Sequence, residues 1–415
     1  MEVEEAGESR DRMEGVKSKK AGEEEAARKA EEVRKRREEQ LEAIRMMSAD
    51  WAGWKKKQEA EMPPADPELL TDPYALEAKC FHRWWHDACG YNGIYGSIDD
   101  KTQIPCMRLT NEPGGREEET LQVFSVNVAQ ISGGLQWPLN VFGTIAIRDE
   151  LDYNRNIIFD RDRDNPQILT EKVSLGDTIL LLGVNYINPL SGLPVPVTLI
   201  RIVYTVSTSL TKLDDEKEDS RLLLTGPVRA VLLLDLVVFQ VSLNVRGTTE
   251  YEDRELSHLA VKWRLHTPPS KSMLVTESYT SRLSTLEFVV GPILYSVEAT
   301  MRVQIVNEPW PDGFGCHIEA RTASIDKAIM LLDSGSENVP VSGDEIQLSR
   351  RVVSVESSGT LRVSIKALRA GKVFQDEKDF RPQEMGTHFE MFDIGPCKIK
   401  VTIAWSLFKG HPLLL

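Results

Sequence analysis

Asp160, Asp162, Asp164, Asn165 and Glu171 follow D-x-D-x-D-N-x5-E, the spacing of positions 1, 3, 5, 6 and 12 of a calcium loop. Hard calcium takes several carboxylate oxygens on a tight turn, which this spacing can supply. Asn165 stands where such a loop needs glycine, and Gln167 replaces the usual apolar residue. Ile157-Ile158-Phe159 ahead of it reads as a strand rather than a helix, and Arg161 and Arg163 neutralise much of the charge. A solvated turn with Arg–Asp pairs is therefore the expected state, with calcium as the alternative. Cys80, His82, His86 and Cys89 bring zinc-type chemistry together within ten residues. Four ligands so close on one helix cannot surround a tetrahedral ion, although His82 and His86, four apart, share a face and could supply half a site. With Trp84 and Trp85 among them, an aromatic docking surface is the expected role.

The sequence holds no G-x-S-x-G, Walker loop, H-E-x-x-H or Cys-x-x-Cys. His258, His266, His317 and His388 fall in or beside predicted strands, where a hydrogen-bonded sheet histidine is commoner than a catalytic base. Gly313-Phe314-Gly315, following Trp310-Pro311-Asp312, is turn chemistry and not a phosphate cradle, because no helix follows it directly.

The elements that must position these residues are of two kinds. Up to residue 61 the chain has 17 acidic and 15 basic residues, and Gly22 to Met47 is rich in Glu, Ala, Arg and Lys with no proline, which predicts a helix. Glu24–Arg28, Glu25–Lys29, Glu31–Lys35 and Glu32–Arg36 are i,i+4 pairs with the acid first, the better orientation. Ala26, Ala30, Val33, Leu41 and Ile44 make only a thin apolar line, so a solvated helix, or one docking a partner helix, is expected. Pro63, Pro64, Pro67 and Pro73 then read as a linker, followed by an aromatic element from Tyr74 to Ala88.

From Thr120 onward the period changes to two. Tyr295, Val297, Ala299, Met301, Val303 and Ile305 alternate with Ser296, Glu298, Thr300, Arg302 and Gln304. Val237–Arg246, Leu361–Lys366 and Cys397–Ser406 repeat the pattern. One face of each strand is expected on a core and the other in water, as in antiparallel sheets, and many such strands between Gly, Pro, Asn and Asp turns predict a β-sandwich. Thr225-Gly226-Pro227, Val290-Gly291-Pro292 and Ile394-Gly395-Pro396 form a faint echo ahead of alternating segments, read as recurrent corner chemistry rather than duplicated halves. The expected organisation is a charged N-terminal extension (1–62), a Pro-rich linker with the Trp-rich element (63–117) and a β-rich domain (118–408).

The chain has 415 residues, 41% hydrophobic and 27% charged, with a formal net charge of −14. An acidic chain has no built-in counter-charge for a phosphate backbone, so nucleic acid is not the expected partner. Five cysteines, sparse and odd in number, predict reduced thiols. An acidic start without an apolar core predicts no secretory signal, and no Asn-x-Ser/Thr acceptor occurs. Ile179–Tyr204, the most apolar stretch, is broken by Asn185, Asn188, Pro189, Pro194 and Pro196 and carries Arg201, so a membrane span is not expected. A cytoplasmic or nuclear protein is the expectation.

Several stretches together carry a family resemblance. They include Leu121-Gln122-Val123-Phe124-Ser125-Val126, Gly133-Gly134-Leu135-Gln136-Trp137-Pro138 and Asn154-Arg155-Asn156-Ile157-Ile158-Phe159. Trp310-Pro311-Asp312-Gly313-Phe314, Leu348-Ser349-Arg350-Arg351-Val352-Val353 and Ala404-Trp405-Ser406-Leu407 extend the set. The chain resembles the grass-lineage family called domain of unknown function 6598 over roughly residues 118 to 408. The resemblance implies a plant protein with a β-rich domain and transfers no activity or catalytic residues. In that family the domain also occurs fused to ribosome-inactivating domains, which implies a stress or defence setting by association. Glu25-Ala26-Ala27-Arg28 looks like the active-site helix of those N-glycosidases, but the rest of that enzyme's fold is absent and the tetrapeptide is read as coincidence. Against the family pattern, Val173 to Lys212 is an atypical insertion with Asp177, Arg201 and Lys212 as its charged members, either a true loop or a retained intron.

Together these readings predict a non-catalytic interaction or ligand-binding module whose partner is a protein, with no cofactor. The rivals are a hydrolase with site residues dispersed along the chain and a calcium-dependent module using Asp160, Asp162, Asp164 and Glu171. Histidines and carboxylates gathered in one pocket would favour the hydrolase.

Overall fold

The computed structural model describes residues 72–85, 97–171, 186–187, 194–195, 220–234, 236–265, 269–335, 339–369, 372–395 and 397–409. The charged extension with Glu25–Arg28, the residues His86 and Cys89, His266 and most of 173–212 lie outside the described residues. All described residues belong to one compact unit, 68–415.

The described chain begins with helix α1 (Pro73–Trp84). Asp72 caps it, its Oδ1 accepting from Tyr74 N at 3.1 Å, while Pro73 takes the first helical position, where a missing N–H costs nothing. Asp72 Oδ2 also accepts from Arg282 N at 2.8 Å, tying the helix start to the sheet. Ala78, Phe81 and Trp85 are buried and pack on Val238 and Ala260. Of the aromatic docking surface expected from the sequence, Trp85 is thus turned inward with Phe81, onto the chain's own strands.

The strands are β1 (Glu118–Ile131), β2 (Leu139–Arg148), β3 (Asn156–Arg161), β4 (Gln167–Leu169), β5 (Tyr186–Ile187) and β6 (Pro194–Val195). Next come β7 (Val231–Leu232), β8 (Val237–Val245), β9 (Arg254–Trp263), β10 (Val275–Thr280) and β11 (Ser284–Ile305). Then follow β12 (Gly315–Thr322), β13 (Ile329–Asp333), β14 (Val341–Ser342), β15 (Glu345–Ile346) and β16 (Val352–Glu356). β17 (Leu361–Arg369), β18 (Lys372–Phe380), β19 (Met385–Ile394) and β20 (Cys397–Ser406) complete the fold. Mainly antiparallel β structure is what the period-two alternation predicts.

Two hydrophobic cores share one strand. The first lies between the order β3-β2-β8-β9 and the layer in which β1 pairs with β7 and with the first half of β11. It contains Val126, Ile145, Phe159, Phe239, Leu259 and Phe288. The second lies between the order β13-β12-β17-β18 and the layer made by β20, β16 and the second half of β11. It contains Val297, Ile318, Val363, Ile399 and Trp405. Fully burying one such side chain contributes about 1.5–3 kcal/mol.

β11 spans both because its 22 residues present different neighbours on its two faces. Leu286, Phe288 and Val290 face the first core, while Val289, Ile293, Val297, Ala299, Met301 and Val303 face the second. The expectation that the polar face of 295–305 meets water is corrected here. Ser296, Glu298 and Thr300 are buried, and only the end of that face, at Arg302, is exposed. Burial is sustained by bonding: Ser296 Oγ donates to Glu118 O at 2.8 Å, and Glu298 accepts from Met107 N and Ala230 N, both at 2.7 Å.

The three Gly-Pro steps share no structural role. Gly226 sits against β3, where an added Cβ would lie 1.9 Å from Ile157 O. Gly291-Pro292 falls inside β11, and Gly395, at φ +62°, turns β19 into β20.

Candidate functional site

A groove opens at one end of the second core, between two turns that the sequence places some thirty residues apart. The first joins β11 to β12 and carries Trp310-Pro311-Asp312-Gly313-Phe314. Pro311 O accepts from Phe314 N at 3.3 Å, closing the turn, and Gly313 at φ +70° supplies the left-handed step. Trp310 Nε1 donates to Phe314 O at 2.9 Å, so the indole is fixed against its own loop. Arg369 donates to Asp312 O at 3.3 Å and places its guanidinium 5.6 Å from the Phe314 ring centre.

The second wall is the β14–β15 hairpin, with Val341 opposite Ile346 and Ser342 opposite Glu345. β15 pairs with Val303 and Gln304 of β11, and Ile305 N donates to Asp344 O at 2.7 Å. Gln304 Nε2 donates to Asp344 Oδ2 at 3.0 Å. Between the walls lies a cavity of about 430 Å³, its apolar lining including Trp310, Phe314 and Val341 and its charged lining consisting of Asp312 and Asp344. That volume falls within the range of small-ligand and side-chain pockets.

A second polar cluster lies elsewhere, on the sheet that carries β12. His317 Nε2 lies 3.3 Å from Glu319 Oε2, and His317 Nδ1 lies 3.8 Å from Asp333 Oδ2. Arg321 pairs with Glu319 at 3.2 Å. Burial pushes the Glu319 carboxyl up, but the His317 hydrogen bond and the Arg321 and Lys366 charges outweigh it and hold the carboxyl below its usual range. A depressed carboxylate stabilises the fold above the ordinary Glu range and loses that contribution as pH falls through the lowered value. Glu319→Gln is therefore expected to flatten the fall in melting temperature below about pH 5. An acid limb identical to that of the unmodified protein would count against this.

The histidine and carboxylates that the sequence left scattered thus meet on a sheet and not in the groove. His388 meets Glu390 at 3.4 Å on β19. Asp160, the last residue but one of β3, is paired with Lys101 at 2.8 Å and accepts from Thr144 at 3.2 Å. Asp162 O accepts from Asn165 N at 3.0 Å in a reverse turn, and Arg163 pairs with the distant Asp253 at 2.8 Å. Asp164 lies in that turn and Glu171 beyond β4. Among the described residues no three His, Cys, Asp or Glu side chains are grouped as a metal site. Cys80 is buried, whereas His82, two residues on along α1, is exposed.

Sequence reasoning noted the Trp310–Phe314 turn but missed that it lines a groove. The opposing hairpin, around Gly343-Asp344, gave no signal of its own.

The family model described as domain of unknown function (DUF6598) matches residues 120–183 and 203–403, leaving 184–202 unmatched inside the segment read as an insertion. No curated protein matches the sequence. Among solved structures, the paired C2 domains, A and B, of extended-synaptotagmin 2 align at 9% identity, covering 75% of this chain and 98% of that one, with a TM-score of 0.21. A longer form of the same protein, with its SMP domain ahead of the two C2 domains, aligns at 10% identity over 78% of this chain and 67% of that one, with a TM-score of 0.23. Human GIVD cytosolic phospholipase A2 aligns at 8% identity over 73% of this chain and 33% of that one, with a TM-score of 0.18. Among the described residues, no helix is long and apolar enough to cross a membrane.

Proposed function

This chain belongs to the DUF6598 family, and because that family brings no activity with it, we propose from geometry that the protein is a non-catalytic binding module. The groove between the Trp310 turn and the β14–β15 hairpin is its recognition element, and a protein segment is its occupant. The observation that carries the reading is the 430 Å³ concavity itself, whose lining sets the side chains of Trp310, Phe314 and Val341 beside two carboxylates. The hydrolase alternative needs a histidine with carboxylates in a concave site, and the His317 cluster lies away from the groove lining. The grass lineage, which rests on the motif resemblance, and a stress or defence setting, which rests on the family's association with ribosome-inactivating domains, belong to the same proposal. A cytoplasmic or nuclear address is supported by the free thiols Cys106, Cys316 and Cys397, all buried.

The test is selection of a random-peptide phage library on the full chain and on two variants. Trp310→Ala removes one wall, and Val341→Trp, at an exposed position, obstructs the groove without touching the core. Sequences enriched on the unmodified chain are expected to disappear on both variants. Equal recovery from all three proteins would remove the groove as the binding site.

A further inference from the structure

We infer that the groove takes a lysine or arginine side chain presented by a partner polypeptide. The inference rests on the binding-module reading above and goes further by naming the chemistry of the occupant. Asp312 and Asp344 are the two charged residues that line the groove, both are acidic, and both are exposed on its rim. Among the described residues neither forms a side-chain ion pair: Asp344 Oδ2 takes the neutral Gln304 amide, and Arg369 reaches only the backbone oxygen of Asp312. Arg369 itself does not line the groove. The chain as a whole carries a net charge of −14, which adds a long-range attraction for cations.

The walls decide what kind of cation fits. Trp310 has already spent its one N–H on Phe314 O, so what its ring can offer an occupant is apolar surface and a π face rather than a donor. Val341 and Ile305 extend that apolar surface. A compact inorganic cation gains nothing from such walls, and a purely aliphatic group leaves the carboxylates unused. An alkyl stem ending in an ammonium or guanidinium uses both, burying the stem while its charge stays near the rim. The protein shows the same pairing within this loop, where the Arg369 guanidinium lies over Phe314 at 5.6 Å.

The experiment takes the peptides enriched in the phage selection and resynthesises each with every Lys or Arg replaced by norleucine, which keeps the stem and removes the charge. Affinities are measured by fluorescence anisotropy against the full chain and against an Asp312→Asn, Asp344→Asn double variant, at low and high salt. Both positions are exposed, so folding is expected to be preserved, and melting temperature checks it. The norleucine peptides are expected to bind about tenfold more weakly and the double variant about fivefold more weakly, with both differences shrinking at high salt. Peptides that need Trp310 yet bind norleucine analogues and the double variant equally well would overturn this inference and leave the binding-module reading standing. Peptides indifferent to Trp310 and Val341, or no enriched peptide at all, would overturn both.

Discussion

Asp149→Ala is expected to lower stability by about 3–5 kcal/mol, the cost of breaking a buried charge pair by removing its two-pronged carboxylate. Arg229 and Asp149 are a buried, two-pronged pair: the Asp149 side chain is 0% exposed and Arg229 2%. Nη1 reaches Oδ2 at 2.6 Å and Nη2 reaches Oδ1 at 2.8 Å. Asp152 Oδ1 accepts from the same Nη2 at 3.0 Å. Burial alone would pull the guanidinium down, but the two carboxylates more than compensate and hold it above its usual value. Asp149 also accepts from Leu232 N at 2.9 Å and Leu151 N at 3.1 Å, so its loss orphans two backbone donors as well.

The position of this network magnifies the effect. Ala230, next to Arg229, donates to Glu298 on the shared strand β11, and burial raises the carboxyl of Glu298 against the pull of its hydrogen bonds and of Arg229. The pair therefore anchors the segments that cover the polar face of β11. Arg229→Lys is expected to rescue little, since a single ammonium cannot replace the two-pronged contact. Urea midpoints of the variants measure this, and a loss below about 1 kcal/mol for Asp149→Ala would show that the network is dispensable.

Trp405→Ala is the second large effect, at about 3–5 kcal/mol. Trp405 is fully buried in the second core, on β20 opposite Ala299 of β11 and Gly386 of β19. Its truncation leaves a cavity that interlocked strands on both sides cannot fill. Trp405→Phe should cost less than half as much. The indole Nε1 is buried with no hydrogen-bond partner among the described residues, so phenylalanine removes an unsatisfied donor while keeping most of the ring. Thermal melts of the two variants decide it: a phenylalanine variant as damaged as the alanine one would mean that the indole itself, and not ring volume, sets the cost.

Particular residues show how far the sequence could be read. Cys397, Ile399, Val401, Ile403 and Trp405 alternate with polar neighbours, and all five face the second core as expected. Ser296, Glu298 and Thr300 alternate just as cleanly, yet their face is buried. Pro73, read as the end of a linker, instead opens helix α1 behind the Asp72 cap, and Phe81 and Trp85 carried no sign of which surface they would meet. The calcium-spaced carboxylates were legible as a pattern, but Lys101, which pairs with Asp160, and Asp253, which pairs with the intervening Arg163, lie far along the chain. The groove was half legible: its aromatic turn is a contiguous motif, while the Asp344 wall arrives only through the pairing of β15 with β11.

Strand periodicity, the cap of α1, the turn at Gly313 and the acidic charge were determined by the sequence alone, because each depends on residue type and on neighbours a few positions away. Tertiary structure alone decided that one strand would serve two cores, that Arg229 would meet Asp149 across eighty residues, and that Asp312 and Asp344 would line one cavity. Period two says that a strand has two faces, but what covers each face, and hence whether its polar groups meet water or a buried partner, depends on segments brought together only when the chain closes on itself.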